Sequence, residues 1–395
     1  MLNKRLNRYA RSFGDIALVA PVSIPYERKS EHGPTWFIGT VLRALLEKSK
    51  LEKNEIDGLA VSSFTLVPDT VVSLTTHFSL TLRWAEHVPL GGASGIVALR
   101  RASRAVQAGD AEIVACIGSD TNNAQTFHNI IANFSSFSSD AVHPYGGGGP
   151  NTVFGMVTRN YMQKYGATRE DFGRICITQR TNALASGRAI FNGPLTMEDY
   201  LTARPIAEPL HLFDCVMPCA GGEGYLVMTT ERAEKLGLSY SRILSSAELY
   251  NDHRDDAIQI RGGWTEFQDQ LYSDAGIDPS EVDFIQTYDD YPVMVMMQLE
   301  GLGFCDLGEA PTFVRENQLT WNGRGFPHNT SGGQLSVGQA GAAGGYLGLV
   351  EAIRQLTMHG LPNAVPDARV GIVSGYGMVI YDRGVSSNAV LLARA

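Results

Sequence analysis

The chain repeats the same order of sequence patterns in its two halves, and this duplication limits the folds that it can adopt. The segment LEKNEIDGLAVSSF at 51–64 is echoed by IDPSEVDFIQTYDD at 277–290, and each predicts a helix end, an acidic turn and a short apolar strand. The segments that begin at Gly91 and Gly341 also correspond, because each predicts a glycine-rich turn, a helix and a buried strand. Two such copies predict two α/β units related by a pseudo-twofold axis.

Strands that alternate with helices are typical of parallel sheets covered by helices on both faces. We therefore predict buried helices at 94–107 and 341–358, inside an N-terminal half at 1–235 and a C-terminal half at 236–395. The stretch at about 121–210 fits neither copy, and we interpret it as a loop insertion that caps the first half.

Composition and charge are those of an ordinary globular protein. Of the 395 residues 18% are charged, the net charge is -9, and no basic stripe is present, which argues against nucleic-acid binding. No apolar run approaches the roughly 20 residues of a membrane span. An odd number of cysteines without a secretory pattern favours reduced thiols and a cytoplasmic location. Cys215 and Cys219 have no second Cys/His pair nearby, so we expect no metal site.

Each glycine-rich turn stands directly before a predicted helix. Helix N-termini carry unpaired amides and the positive end of the helix dipole. Two of them facing each other across the pseudo-twofold axis could hold a thioester oxygen or stabilise an enolate. The glycines could equally serve only to let helices and strands pack closely.

Several long blocks resemble the thiolase superfamily, in its branch of sterol-carrier-protein-2 thiolases and lipid-transfer proteins. They are GATREDFGRICITQRTNALAS (166–186), PLTMEDYLTARPIAEPLHLFDCVMPCAGGEGYLVMT (194–229), LEGLGFCDLGEAPTFV (299–314) and NTSGGQLSVGQ (329–339). The resemblance implies a five-layered αβαβα fold made of two similar halves, and a homodimer. It also implies a coenzyme A thioester as substrate, with no covalently bound cofactor, and chemistry at a carbon–carbon bond beside the thioester.

The reactive residues of that family are replaced in this chain. Gly92 stands where the family has the nucleophilic Cys of C-A-S-G, and Gln339 where it has the His of G-H-P. The H-D-C-F motif reads YDDY at 288–291, which puts Asp290 in place of its Cys. The strand end VSGYG at 373–377 lacks a Cys as well. We therefore expect no acyl-cysteine intermediate and no thiolase activity.

A retro-aldol cleavage of a β-hydroxyacyl-CoA needs no covalent nucleophile, only a base and a stabilised enolate. Some lipid-transfer chains similar to this one are aldolases that use a tyrosine and a small OB-fold, zinc-ribbon partner. The resemblance therefore implies Tyr288 as the acid or base, with Asp290 as a further base and Gln339 as a hydrogen-bonding group. The expected oxyanion-stabilising or substrate-binding residues are Gly92, Asn329, Gly338, Gly375, Tyr346 and Tyr376.

Alternatives remain open at this point. Tyr288 could be a packing residue, and Asp289 and Asp290 could only cap a helix that starts at Pro292. His328 and His143 are weaker catalytic candidates. The whole chain could also be a non-catalytic acyl-CoA or lipid-binding subunit of a complex.

Overall fold

A computed structural model describes residues 12–123, 140, 144, 146–323 and 325–395, and it has a mixed α/β fold around one nine-stranded sheet. The strands are β1 Ile16–Glu27, β2 Gly58–Ser62, β3 Trp84–His87, β4 Val114–Thr121, β5 Pro205–Ala207, β6 Leu210–His211, β7 Ala220–Thr229, β8 Tyr240–Tyr250, β9 Phe284–Gln286, β10 Val370–Ile380 and β11 Arg383–Arg394. The helices in these ranges are α1 Pro34–Ser49, α2 Val71–Phe78, α3 Ser94–Ala108, α4 Gly149–Tyr165, α5 Arg169–Ser186, α6 Met197–Thr202, α7 Thr230–Lys235, α8 Trp264–Ala275, α9 Pro292–Gly301, α10 Ala310–Glu316, α11 Gly333–Val337 and α12 Gly344–Thr357. His143 lies outside the described residues.

The sheet has the same strand order on either side of its centre. The order is β3-β2-β4-β7-β1-β8-β11-β10-β9, so β1 and β8 pair in the middle. From the centre outward, β1, β7, β4 and β2 on one side correspond to β8, β11, β10 and β9 on the other. An isolated parallel bridge from Ile285 to His328 stands where β3 stands in the other set. The duplicated order supports the pseudo-twofold arrangement, and the boundary at 235/236 stays a prediction.

The strand directions differ from the expected parallel sheets. Among the named strands, only the pairs within β3–β2–β4 and the pair β9–β10 are parallel, whereas β1, β7, β8 and β11 join the sheet through antiparallel pairs. The reason is visible between β10 and β11, which follow each other with a two-residue connection. A hairpin of that length can only link antiparallel strands, since a parallel pair requires a crossover.

The helices α3 and α12 form the middle layer of the fold. They pack against each other and against strands from both sets. Both lie where the sequence predicted buried helices, at 94–108 and 344–357. Each follows a short 3₁₀ turn whose first residue, Gly91 or Gly341, has a positive φ of 55° or 56° that glycine adopts readily.

The starts of α3 and α12 approach each other at backbone contact distance. A Cβ atom added to Gly95 would overlap the carbonyl oxygen of Gly345, and a Cβ added to Gly345 would press on the carbonyl oxygen of Gly91. Such a crossing is possible only because neither residue has a side chain. The two glycine-rich turns are thereby held side by side.

Outer helices complete the five layers. On one side α1 packs on β1, β4 and β7, and on the other α8 packs on β8 and β11. The described part of the predicted insertion contains α4, α5 and α6, and α5 packs against α9, α10 and α11. The described part of the insertion therefore packs on elements of the second set, whereas the sequence predicted that the insertion caps the first half. No helix within the described ranges is long and apolar enough to cross a bilayer.

We predict that Gly95→Ala lowers the free energy of unfolding by about 1–3 kcal/mol, because the added methyl group would overpack the helix crossing. Urea denaturation followed by circular dichroism measures this change. Gly33→Ala is the matched control, since nothing lies within 4 Å of a Cβ at Gly33. Equal stability of the two variants would contradict the close crossing.

Candidate active site

The two glycine-rich turns open into a cavity of about 50 Å³. Its other walls come from the loop between β9 and α9 and from the end of β10. Five of the predicted site residues line it together: Gly92, Tyr288, Asp290, Gln339 and Tyr376. Residues that the motif comparison did not single out, among them Phe64, Phe154 and Met294, make most of the remaining wall apolar.

The ring of Tyr288 fills the space beside Gly92. A Cβ atom on Gly92 would overlap that ring and the carbonyl oxygen of Tyr376. The position at which the family carries its nucleophile therefore has no room for a side chain while Tyr288 keeps this place. Restoring a cysteine by Gly92→Cys would require Tyr288 to move.

Gln298 fixes the backbone of Tyr288 by hydrogen bonds from its side-chain amide. Its Oε1 accepts the Tyr288 N–H at 3.1 Å, and its Nε2 donates to the Tyr288 carbonyl at 2.6 Å. The hydroxyl of Ser374 also donates to Oε1 at 2.7 Å, and the Gln298 side chain is fully buried. Sequence reasoning missed this residue, although a glutamine inside the apolar run PVMVMMQLEG was a usable signal.

Tyr288 and Asp290 form a hydrogen-bonded pair at the cavity. The Tyr288 hydroxyl donates to Asp290 Oδ2 at 2.7 Å, and Oδ1 has no hydrogen-bond partner among the described residues. Burial, together with the charge of Asp289, raises the pKa of Asp290 to about 7, although the hydrogen bond from Tyr288 acts in the opposite direction. Burial and the neighbouring Asp290 hold the pKa of Tyr288 well above 10.

Asp289 serves a different purpose from Asp290. It accepts the backbone N–H groups of Gln334 at 3.0 Å and Leu335 at 3.2 Å, which are in the first turn of α11. Burial raises its pKa to about 7 against these hydrogen bonds. The alternative that Asp289 and Asp290 cap α9 is wrong, because Asp289 binds the start of α11 and Asp290 accepts from Tyr288.

Gln339 faces the cavity from the opposite wall. Its Oε1 accepts the N–H of Gly341 at 3.1 Å, so the side chain folds back over the turn before α12. The neighbouring Gln339 amide lowers the Tyr288 pKa, against the larger effect of burial. The Gln339 backbone is anchored by an N–H donated to Met217 at 2.8 Å and a carbonyl that accepts from Cys219 at 3.1 Å.

Asn329 and Gly338 shape the loop that carries Gln339, and neither lines the cavity. Asn329 has a φ of 42°, and its side-chain amide brackets Thr287, accepting its N–H at 2.8 Å and donating to its carbonyl at 3.1 Å. Gly338 has a φ of 113° and packs against Cys219. Both residues hold backbone geometry at this site.

The expectation that Tyr346 faces the cavity is wrong. Its side chain is fully buried, with its hydroxyl 2.9 Å from Ser62 Oγ. The helix crossing explains this placement, because Gly345 must face Gly92 and the next residue on α12 then points toward the sheet. Gly375 lies outside the cavity wall too, against the backbone of Gly92.

Tyr376 lines the cavity with its ring, while its hydroxyl points elsewhere. The hydroxyl accepts the Gly384 N–H at 2.8 Å, and the ring packs against Trp264 and Phe154. Burial raises the pKa of Tyr376, so this phenol stays protonated. The residue forms an apolar wall of the cavity.

His328 is a core histidine. It is fully buried, its Nε2 lies 2.8 Å from the hydroxyl of Thr287, and burial lowers its pKa to about 3. It is therefore neutral at physiological pH, and it does not line the cavity. In the described part of the chain, no group of three or more His, Cys, Asp or Glu side chains is placed to hold a metal ion.

A larger groove of about 340 Å³ shares Asp290 and Pro150 with the cavity. Its wall is mainly apolar, and Arg204 contributes a cationic side chain. Its apolar lining includes Phe191, Ile206, Phe213, Met217 and Leu335. We call it the apolar groove.

The chain is similar to known proteins over most of its length. A family model described as thiolase C-terminal domain-like matches residues 252–389. The steroid side-chain-cleaving aldolase of Thermomonospora curvata is 33% identical, with 79% of this chain and 82% of that protein covered. The 17-hydroxy-3-oxo-4-pregnene-20-carboxyl-CoA lyase of Mycobacterium tuberculosis is 27% identical, with 87% and 92% covered. The solved structure of the Ltp2-ChsH2(DUF35) aldolase matches with a TM-score of 0.82 at 27% identity, over 96% of this chain and 98% of that one.

Because the fold raises the pKa of Asp290 above its ordinary value, the stability from this group is present at low pH and is lost as pH rises through about 7. We predict that Asp290→Asn, which mimics the neutral acid, raises the free energy of unfolding at pH 8 by at least about 1 kcal/mol. A smaller increase is expected at pH 5, because the loss accumulates between the ordinary Asp pKa of about 4 and the folded value. Urea denaturation at both values measures this, with the exposed Asp306→Asn as control. An equal effect of Asp290→Asn at pH 5 and pH 8 would refute the raised pKa.

Proposed function

The chain belongs to the thiolase superfamily, in the branch of sterol-carrier-protein-2 thiolases, lipid-transfer proteins and steroid side-chain-cleaving aldolases, and on this premise we propose that it is a β-hydroxyacyl-CoA lyase. The proposed reaction is a retro-aldol cleavage of the Cα–Cβ bond beside the thioester. The observation that carries the proposal is the Tyr288–Asp290 pair, with its hydroxyl in the space beside Gly92.

An acyl-enzyme route has little support in this chain. Burial raises the pKa of all five thiols, to about 12 for Cys215 and Cys305 and higher for the others. Each thiol is therefore protonated at neutral pH, and the thiol form is a poor nucleophile. None of the five cysteines lines the cavity. These facts favour chemistry without a covalent intermediate.

In the proposed reaction Asp290 is the base and Tyr288 relays the proton. The Tyr288 oxygen takes the proton of the substrate β-hydroxyl as Tyr288 passes its own proton to Asp290 Oδ2. The β-oxygen becomes a carbonyl, the Cα–Cβ bond breaks, and its electron pair enters the thioester enolate. The proton then returns through Tyr288 to Cα, which gives an acyl-CoA and a carbonyl product and restores the pair. A base with a pKa near 7 suits this work at neutral pH.

The enolate would be stabilised by the two helix starts. The turns before α3 and α12 line the cavity through Gly91, Gly92 and Gly341. Each helix N-terminus carries roughly half a positive charge, which favours a developing oxyanion. The amide of Gln339 can donate a hydrogen bond but cannot take a proton, so its proposed role is to hold the thioester oxygen.

We propose that the substrate carries a bulky lipid or sterol side chain and that the apolar groove receives part of it. The groove meets the reacting pair at Asp290 and is large compared with the cavity. Arg204 on its wall is the candidate partner for an anionic group of coenzyme A. The names of the two similar enzymes, which refer to steroid substrates, support the choice of substrate class.

We also propose a homodimer that works with a small OB-fold, zinc-ribbon protein. The similar solved structure names a second component, ChsH2(DUF35), beside Ltp2. Cleavage of a β-hydroxyacyl-CoA by this chain should therefore be measured with and without such a partner. If no cleavage occurs in either case, the alternative of a non-catalytic acyl-CoA-binding subunit replaces the lyase.

We predict that Tyr288→Phe lowers the rate of acyl-CoA release about 100- to 10,000-fold, as expected for the loss of a general acid–base group. The change removes one hydroxyl, so circular dichroism should show an intact fold. Tyr272→Phe is the matched control, because it removes a buried hydroxyl that donates to the Leu302 carbonyl, away from the cavity. Full activity of Tyr288→Phe would make Tyr288 a packing residue and leave Asp290 as the base.

The pH dependence tests the role of Asp290. Because the base must be unprotonated, we predict that kcat/KM rises from pH 5 to pH 8 with a midpoint near 7. Asp290→Asn should lower kcat/KM by at least about 100-fold, and its residual activity should lack this acid limb. A wild-type profile that is flat between pH 5 and pH 8 would exclude Asp290 as the base.

A further inference from the structure

A separate cavity of about 280 Å³ lies behind the loop that carries Gln339, and we call it the rear cavity. Its polar lining is Ser23, Tyr26, Arg188, Glu223, Ser331 and Arg354. It shares no lining residue with the active-site cavity or the apolar groove. The chemistry proposed above therefore leaves its polar residues unexplained.

Three polar atoms of the rear cavity have no hydrogen-bond partner in the described ranges: Glu223 Oε1, Ser331 Oγ and Tyr26 Oη. Glu223 is 0% exposed and Ser331 is 3% exposed. The Tyr26 hydroxyl faces Glu223 without completing a hydrogen bond. A buried polar group without a hydrogen-bond partner is unfavourable, so three such atoms around one cavity indicate that a bound molecule satisfies them.

Two arginines of the rear cavity, Arg188 and Arg354, share one ionised carboxylate, that of Glu351. Arg188 donates to Glu351 at 2.8 Å, and Arg354 lies 3.8 Å from the same carboxylate. Arg354 also donates to Ser23 Oγ at 2.7 Å. These two guanidinium groups lower the pKa of nearby Lys48, after the larger effect of its burial. The surroundings are therefore electropositive.

The remaining carboxyl group, Glu223, is only partly charged and can donate a hydrogen bond in its protonated form. Burial raises the pKa of Glu223 to about 7, against the opposing effect of Arg354, so a large fraction of Glu223 is protonated at neutral pH. A protonated carboxyl, two hydroxyls and two guanidinium groups then present mainly hydrogen-bond donors. A ligand that matches them must supply several acceptor oxygens and negative charge.

We propose that the rear cavity binds a small molecule with a carboxylate or phosphate group, held by Arg188 and Arg354 and by the hydroxyls of Tyr26 and Ser331. The volume is near the lower end of the range for small-molecule sites, about 300–1,000 Å³. Entry is open at Arg188, whose side chain is 33% exposed. The ligand would touch Ser331, which precedes α11, while Gln339 follows α11.

Isothermal titration calorimetry at pH 7 tests the site with two probes, succinate and inorganic phosphate, against neutral succinamide at matched ionic strength. Binding of either anion without binding of succinamide supports the proposal, and the two arms tell a carboxylate site from a phosphate site. We expect Arg188→Gln to weaken binding at least 10-fold and Ser331→Ala several-fold. Arg43→Gln, which removes an exposed arginine on α1, should leave binding unchanged.

Ser331→Ala keeps the test decisive if arginine variants fold poorly, because it removes a hydroxyl that has no partner among the described side chains. Absence of binding by both anions overturns the proposal, since the cavity would then hold only water. Binding that is unchanged in Arg188→Gln and Ser331→Ala overturns it as well. Retro-aldol activity is measured separately, so failure here does not affect the proposed lyase.

Discussion

The crossing of two helix starts at Gly95 and Gly345 is the contact on which the site depends. Each glycine faces a backbone carbonyl of the opposite turn, and no side chain would fit between them. The crossing joins the two halves of the duplicated fold through backbone atoms, whose positions are far less adjustable than side chains. It places two positive helix ends on one small cavity. It also sends Tyr346 away from that cavity, because its neighbour Gly345 takes the inward position.

The glycine at position 92 and the tyrosine at position 288 are sterically coupled, because a side chain at position 92 and the Tyr288 ring would need the same space. The ring of Tyr288 lies where a side chain on Gly92 would have to be. Gln298 holds that ring in place by gripping the Tyr288 backbone with both ends of its amide. Where the family has a nucleophilic cysteine, this chain therefore places the hydroxyl of Tyr288. The proposed retro-aldol reaction uses that hydroxyl. A cysteine at position 92 therefore requires a second substitution, because the Tyr288 ring occupies the space that its side chain would need.

Two adjacent acids show how surroundings assign different roles to one residue type. Asp289 and Asp290 both have a pKa of about 7, and burial is the main cause for each. Asp289 is bound by two backbone amides of α11 and therefore stabilises the loop. Asp290 accepts one hydrogen bond from Tyr288 and keeps an oxygen without a partner among the described residues. A raised pKa by itself would make both residues candidate bases. Their hydrogen bonds distinguish Asp289, which stabilises the loop, from Asp290, the candidate base.

The sequence by itself determined the duplicated architecture, the buried helices α3 and α12, and the replacement of family residues at Gly92 and Gln339. Hydrophobic periodicity and glycine placement are local properties, so they can be read without coordinates. Only the tertiary structure decided the strand directions, the packing of the insertion on the second half, and which tyrosines reach the cavity. The physical reason is that these features depend on contacts between distant segments. The sequence made Tyr288, Tyr346 and Tyr376 all candidate site residues, yet the helix crossing and the hydrogen bonds of Gln298 and Gly384 place only the Tyr288 hydroxyl at the cavity.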